Sequence, residues 1–146
     1  LYGFCNTEPG SGDLYKIPGL ERNRNGIKKV FNSMAFSTKR LSRMPKDTRA
    51  LFPEGHSIDD VMERIEDFHS AIAVHFFKGA GHKAQFVESN ILIEILKDLK
   101  GQSITALPIH DAILVPKSKD VQACQAMKAA FRKHTGVEAL VTIESG

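Results

Sequence analysis

The sequence predicts an α+β chain with one small antiparallel sheet, and three observations carry that prediction. First, two apolar stripes recur at helical spacing. One runs through Ile58, Val61, Met62, Ile65, Phe68, Ile72 and Phe76, the other through Val87, Ile91, Leu92, Ile95, Leu96 and Leu99. Each marks the buried face of a long helix. Second, residues 104–115 are β-branched and largely apolar, broken near the middle by His110-Asp111. That pattern reads as two strands around a reversal. Third, one more helix and a final strand follow, so helices and strands are segregated and do not alternate, as in α+β folds. A chain of 146 residues suits one compact unit with a sizeable core.

The elements follow in order. Residues 1–21 hold Pro9-Gly10-Ser11-Gly12 and Pro18-Gly19 and form a loop-rich lead-in. Asn23 to about Phe36 can form a helix whose weak point is Gly26. Residues 37–55 are polar and basic, carry Pro45 and Pro53, and suit turns with one short helix. Ser57-x-x-Asp60 resembles a capping box and opens the first long stripe, which Gly79-Ala80-Gly81 should stop. The second stripe predicts a helix from about Ala84 to Leu99, ended by Gly101. Ser103–Ile109 and Ala112–Pro116 are the predicted strands. Ser118 can cap a helix with Val121, Cys124, Met127 and Phe131 on its buried face, stopped at Gly136. Val137–Ile143 alternates well enough for a last strand. There is no internal repeat.

Composition narrows the setting. Apolar residues make up 42% and charged residues 25%, ordinary for a globular domain. No apolar run approaches the roughly 20 residues of a membrane span. The start, Leu1-Tyr2-Gly3-Phe4-Cys5, has no signal-like character and no Met, and reads as an excised fragment or a processed product. Cys5 and Cys124 lie far apart without CxxC spacing, as expected of reduced, buried thiols in the cytoplasm. The net charge is only +3, but nine basic residues (Arg22, Arg24, Lys28, Lys29, Lys39, Arg40, Arg43, Lys46, Arg49) share a window with a single acid, Asp47. Such a window suits phosphates.

Two patterns carry chemistry. A carboxylate within an apolar run is costly to bury, so Asp111 makes sense at the tip of a hairpin. An exposed Asp on a rigid turn is a good ligand for a hard cation such as magnesium. Upstream, Arg24, Lys28, Asn32 and Phe36 recur every four residues, along one slowly drifting helix face. Two cations there can bind triphosphate oxygens, and the aromatic can stack on base or sugar. A rival use of His110-Asp111 is a metal-dependent phosphohydrolase, with His56, His69, His75 and His82 as further ligands. Strand-like surroundings at 110 and the lack of i, i+4 histidine spacing argue against it. His69 sits beside the first stripe, as a satisfied, partly buried residue would.

At this point the chain resembles the family A DNA polymerases and the related single-subunit, phage-type RNA polymerases. The likeness rests on Arg24-x3-Lys28-x3-Asn32-x3-Phe36 on a fingers-like helix, Gly12-Asp13-Leu14-Tyr15 before it, and His110-Asp111 after a long helix containing Glu88-Ser89-Asn90. It spans roughly residues 12–116. It implies a helical fingers-like region at 22–80 packed with a small palm-like sheet within 81–146. It also implies nucleotide binding by Arg24, Lys28, Asn32 and Phe36, with His110 near the primer terminus. Asp111 would be one of two magnesium-binding catalytic aspartates. Arg22, Lys29, Lys39, Arg40 and Arg43 would meet the template-primer backbone, and Glu88 can face the cleft.

The departures are specific. Phe36-Ser37 replaces the family's Tyr-Gly, Ala112 stands where a third acid often follows His-Asp, and Asp13 and Arg24 are closer together than usual. The family's first catalytic aspartate has no match here and would fall just upstream of Leu1. One carboxylate does not assemble a two-metal site. The expected activity is therefore template-directed nucleotidyl transfer with its partner aspartate outside these residues. The alternative is a non-catalytic nucleic-acid-binding module built on Arg22 to Arg49.

Overall fold

The computed structural model describes the chain apart from residues 6, 8, 9, 11, 111, 145 and 146 and the side chains of Phe4 and Cys5. Asp111, the predicted metal ligand, thus lies outside the described residues. The fold is α+β. Among the described residues, four helices, α1 (Arg24–Phe36), α2 (Ile58–Phe68), α3 (Ala80–Gly101) and α4 (Asp120–Thr135), accompany strands β1 (Leu107–Ile109) and β2 (Ala112–Leu114), which lie between α3 and α4 in the chain. The chain divides into two compact units, Leu1–Ala84 and Gln85–Gly146, with the boundary inside α3.

In the first unit, α1 packs on α2. Ile27, Val30 and Met34 at helical spacing meet Val61, Met62 and Ile65, all without solvent exposure. Gly26 lets the loop residue Phe52 pack directly against α1. A Cβ there would lie 2.6 Å from the Phe52 ring, so the roughly 1 kcal/mol that Gly costs a helix is offset by seating Phe52 in the core. Ser57 caps α2 as predicted, its hydroxyl accepting from the Asp60 N–H at 3.1 Å. The Asp60 carboxylate does not reach back. It accepts from Arg64 (2.9 Å) and pairs with His56 (2.9 Å), so the box is one-sided.

The first stripe predicts burial correctly but not helix length. Ile72 and Phe76 are buried, yet α2 ends at Phe68, and they reach the core from a turn and the 3-10 segment Ala73–His75. His69 marks the break. Its ring is 1% exposed, which makes it a core residue and not the partly buried one expected. The Leu14 carbonyl can only accept, so Nε2 carries the proton and donates to it (2.9 Å), while Nδ1 accepts from the Tyr2 hydroxyl (2.7 Å). Burial lowers the His69 pKa, with the Leu14 contact opposing. Farther on, Phe77 N–H donates to Met34 O and Gly79 N–H to Ser37 O, each at 2.9 Å, which satisfies carbonyls at the end of α1. Phe77 adopts φ 57°, a strained value for a bulky residue, held by these bonds and by the Arg40 guanidinium 5.5 Å from its ring centre. Helix α3 then starts at Ala80, earlier than predicted, so Gly81 lies inside it and does not mark a stop.

In the second unit, Ile91, Ile95 and Leu99 of α3 share one apolar cluster with Ile104 and with Ala123, Ala126 and Ala130 of α4. The buried face of α4 is thus a row of alanines, rotated from the predicted stripe. Val121 is 59% exposed, and Cys124, a free thiol, is half-buried. Ser118 falls in the 3-10 turn Lys117–Lys119 and does not cap α4, whose start has no side-chain cap. Gly136 ends α4 as predicted, at φ 76° with its N–H on Arg132 O at 2.8 Å. The hairpin pairs Leu107 with Leu114 and Ile109 with Ala112, in strands shorter than predicted. No strand forms among the described residues of 137–143. Among the described residues, no helix is long and apolar enough to cross a membrane.

Candidate nucleotide-binding site

Arg24 is the first residue of α1, and that helix start has no side-chain cap. Asn23 precedes it but does not cap it, because its amide donates to Leu51 O (2.8 Å) and to the Glu54 carboxylate (3.2 Å). No acid lies in the first turn. The positive end of the helix dipole therefore lies beside the exposed Arg24 guanidinium, an arrangement that favours anions.

Arg24 and Lys28 are both exposed, and both rest on one aromatic ring. Arg24 lies 5.5 Å and Lys28 5.9 Å from the Tyr15 centroid. Tyr15 is itself fixed edge-on against Phe31 of α1 at 5.7 Å. The preceding turn supplies a counter-ion: Asp13 Oδ2 is 2.5 Å from Arg24 Nε, while Oδ1 accepts from the Tyr15 N–H at 3.0 Å. The Arg24 hydrogen bond, followed by that of the Tyr15 amide, holds the Asp13 carboxyl below its usual range, and Asp13 raises Arg24 in turn. Between them, Leu14 is anchored by His69.

Asn32 is exposed on α1, and Phe36 sits half-buried at its end. The Phe36 ring lies over Gly81, where a Cβ would approach to 2.7 Å, and meets the His82 ring edge-on at 5.1 Å. Along the helix, Arg24 and Phe36 are about 18 Å apart.

All nine basic residues from Arg22 to Arg49 are exposed. Arg40 is engaged by Glu66 through two contacts of 3.0 and 3.2 Å, and Lys29 donates to Asp47 O at 3.3 Å. Arg22, Lys39 and Arg43 stand on the surface around them.

In the other unit, His110 is exposed and follows Ile109, which pairs with Ala112; its φ of 52° is the left-handed value of a tight reversal. Glu88 is exposed on α3 and Asn90 half-buried. Among the described residues, no three His, Cys, Asp or Glu side chains converge as a cation requires. They do not by themselves fit a magnesium ion. A groove of about 240 Å³ between β2, α4 and residues 141–144 is lined by Ile113, Val115, Cys124 and Met127 and by none of the described site residues.

No family model, curated protein or solved structure matches this chain. The four-residue spacing in α1 was legible in the sequence. Seating of both cations on Tyr15, and the Asp13 contact, were not: they join positions 9 to 13 residues apart through the Pro18-Gly19 turn, whose path periodicity does not describe.

Proposed function

We propose that this chain is the fingers-and-palm portion of a template-directed nucleotidyl transferase similar to family A and phage-type single-subunit polymerases. The outer face of α1 supports this most. Arg24 and Lys28 stand one turn apart, exposed, on a common aromatic ring, beside a helix start without a side-chain cap. Two fixed cations suit two successive phosphates of a nucleoside triphosphate. In the reaction, a primer 3′-hydroxyl oxygen bonds to the α-phosphorus, the bond to the bridging oxygen breaks, and pyrophosphate leaves. Arg24 and Lys28 lower the cost of the charge that collects on that leaving group. Phe36 takes the aromatic place near sugar and base, Asn32 lies between, and His110 belongs near the primer end.

Arg22, Lys29, Lys39, Arg40 and Arg43 track the template-primer backbone. Magnesium belongs to Asp111 together with a second aspartate that the resemblance puts outside these residues. A second reading, a non-catalytic nucleic-acid-binding module, is favoured by one observation: the nine exposed basic residues share their window with a single acid.

Primer extension by the protein with its upstream sequence, in the presence of magnesium and nucleoside triphosphates, tests the proposal. Asp111→Ala should abolish extension, and Arg24→Ala should raise the KM for nucleotide about ten-fold or more. Unchanged extension by the Asp111 variant would sink the assignment. Salt-dependent binding of primer-template without extension selects the binding module.

A further inference from the structure

The candidate triphosphate face of α1 is not vacant of anions, because the chain supplies one. Asp13 meets Arg24 through Nε at 2.5 Å, close to the contact a phosphate oxygen would make. The same carboxylate accepts the Tyr15 amide at 3.0 Å, and Tyr15 is the ring on which Arg24 and Lys28 both rest. One turn thus carries both the platform for the cations and the acid that competes for them. His69 fixes that turn from within the core by holding Leu14 O.

We infer that Asp13 is a resident counter-anion of the triphosphate site, occupying the place on Arg24 that a phosphate oxygen takes and being displaced when a polyphosphate binds. This rests on the reading of Arg24 and Lys28 as phosphate ligands. Asp13 holds the Arg24 side chain in place between binding events. It also sets a threshold that an incoming anion must exceed, which it does by engaging Lys28 as well. Exposed ion pairs are weak and are readily exchanged, so displacement is feasible.

The contacts separate Asp13's two roles. Asparagine keeps an oxygen for the Tyr15 amide and loses the charge, so Asp13→Asn preserves the turn while removing the competitor. Asp13→Ser, whose hydroxyl can also accept from that amide, checks the result. Titration of the full chain with inorganic tripolyphosphate, read by calorimetry, should show binding about three- to ten-fold tighter in both variants than in the unaltered chain. The gain should vanish in an Arg24→Ala background. Equal or weaker binding by Asp13→Asn, with binding still dependent on Arg24, would overturn the counter-anion and leave the phosphate site standing. A gain that persists without Arg24 also overturns it, because the effect is then one of net charge. Binding that ignores Arg24 in every variant removes the phosphate site itself, and the inference with it.

Discussion

The two units solve the problem of burial differently. Unit Leu1–Ala84 encloses large side chains drawn from α1, α2 and the loops around them, including Phe52, Ile17, Leu20, Met34, Met62 and Ile72. The buried set of unit Gln85–Gly146 is smaller in volume: three isoleucines, one leucine and three alanines. Phe86, Ile93, Leu107, Ile109, Leu114, Val121, Leu140 and Ile143 are exposed in that unit, against Phe68 and Val74 in the first. Tight enclosure in the first unit includes His69, which holds the Leu14 carbonyl between Asp13 and Tyr15. In the second unit all of β1 is exposed and only Ile113 of β2 is half-buried, and strand pairing alone gives such a hairpin little stability.

The sharpest test of that contrast is a pair of truncations. Ile65→Ala, at a site with no exposure, should cost about 3 kcal/mol in denaturant unfolding, whereas Leu114→Ser, at 59% exposure, should stay within about 0.5 kcal/mol. Comparable losses would erase the difference between the units.

Next in size is His69. Replacing it with Leu removes two buried hydrogen bonds and strands Leu14 O, for a loss of about 2 kcal/mol. Its pKa is lowered from 6.5 by burial, so the unfolded chain takes up a proton that the folded chain refuses. The stability it contributes is therefore complete above that value and declines as pH falls through the lower folded-state value. Unfolding curves between pH 7 and 5 should show this decline in the unaltered chain and a flatter profile in His69→Gln. Parallel profiles would remove His69 as the cause.

The smallest effect compares helix starts. Ser57→Ala should cost α2 about 1 kcal/mol, while Ser118→Ala, at a position that caps nothing, should stay within about 0.5 kcal/mol. Thermal unfolding of the two variants side by side decides it.

Much of the fold was legible in the sequence because its signals are local. Apolar residues at i, i+3 and i+4 placed α2 and the body of α3; the four-residue spacing of Arg24, Lys28, Asn32 and Phe36 fell on α1; Ser57 and Gly136 fixed two ends; the β-branched run at 104–115 located the hairpin. Each of these depends on residues within one or two turns of one another. Periodicity was misleading where burial and helicity part company. Ile72 and Phe76 continue the α2 stripe but are buried from a 3-10 turn, and the alternation of Val137–Ile143 produces no strand among the described residues.

For the candidate site, the sequence by itself determined the order and spacing of Arg24, Lys28, Asn32 and Phe36 and the basic window around them, since a helix maps four-residue spacing directly onto one face. Only the tertiary structure decided that Tyr15 carries both cations, that Asp13 occupies Arg24, and that Phe36 lies over Gly81. The reason is physical. Those contacts close loops between segments with no shared period, and their geometry is set by the buried His69 and the tightly packed glycines, which hold the turns against the helices from inside the core.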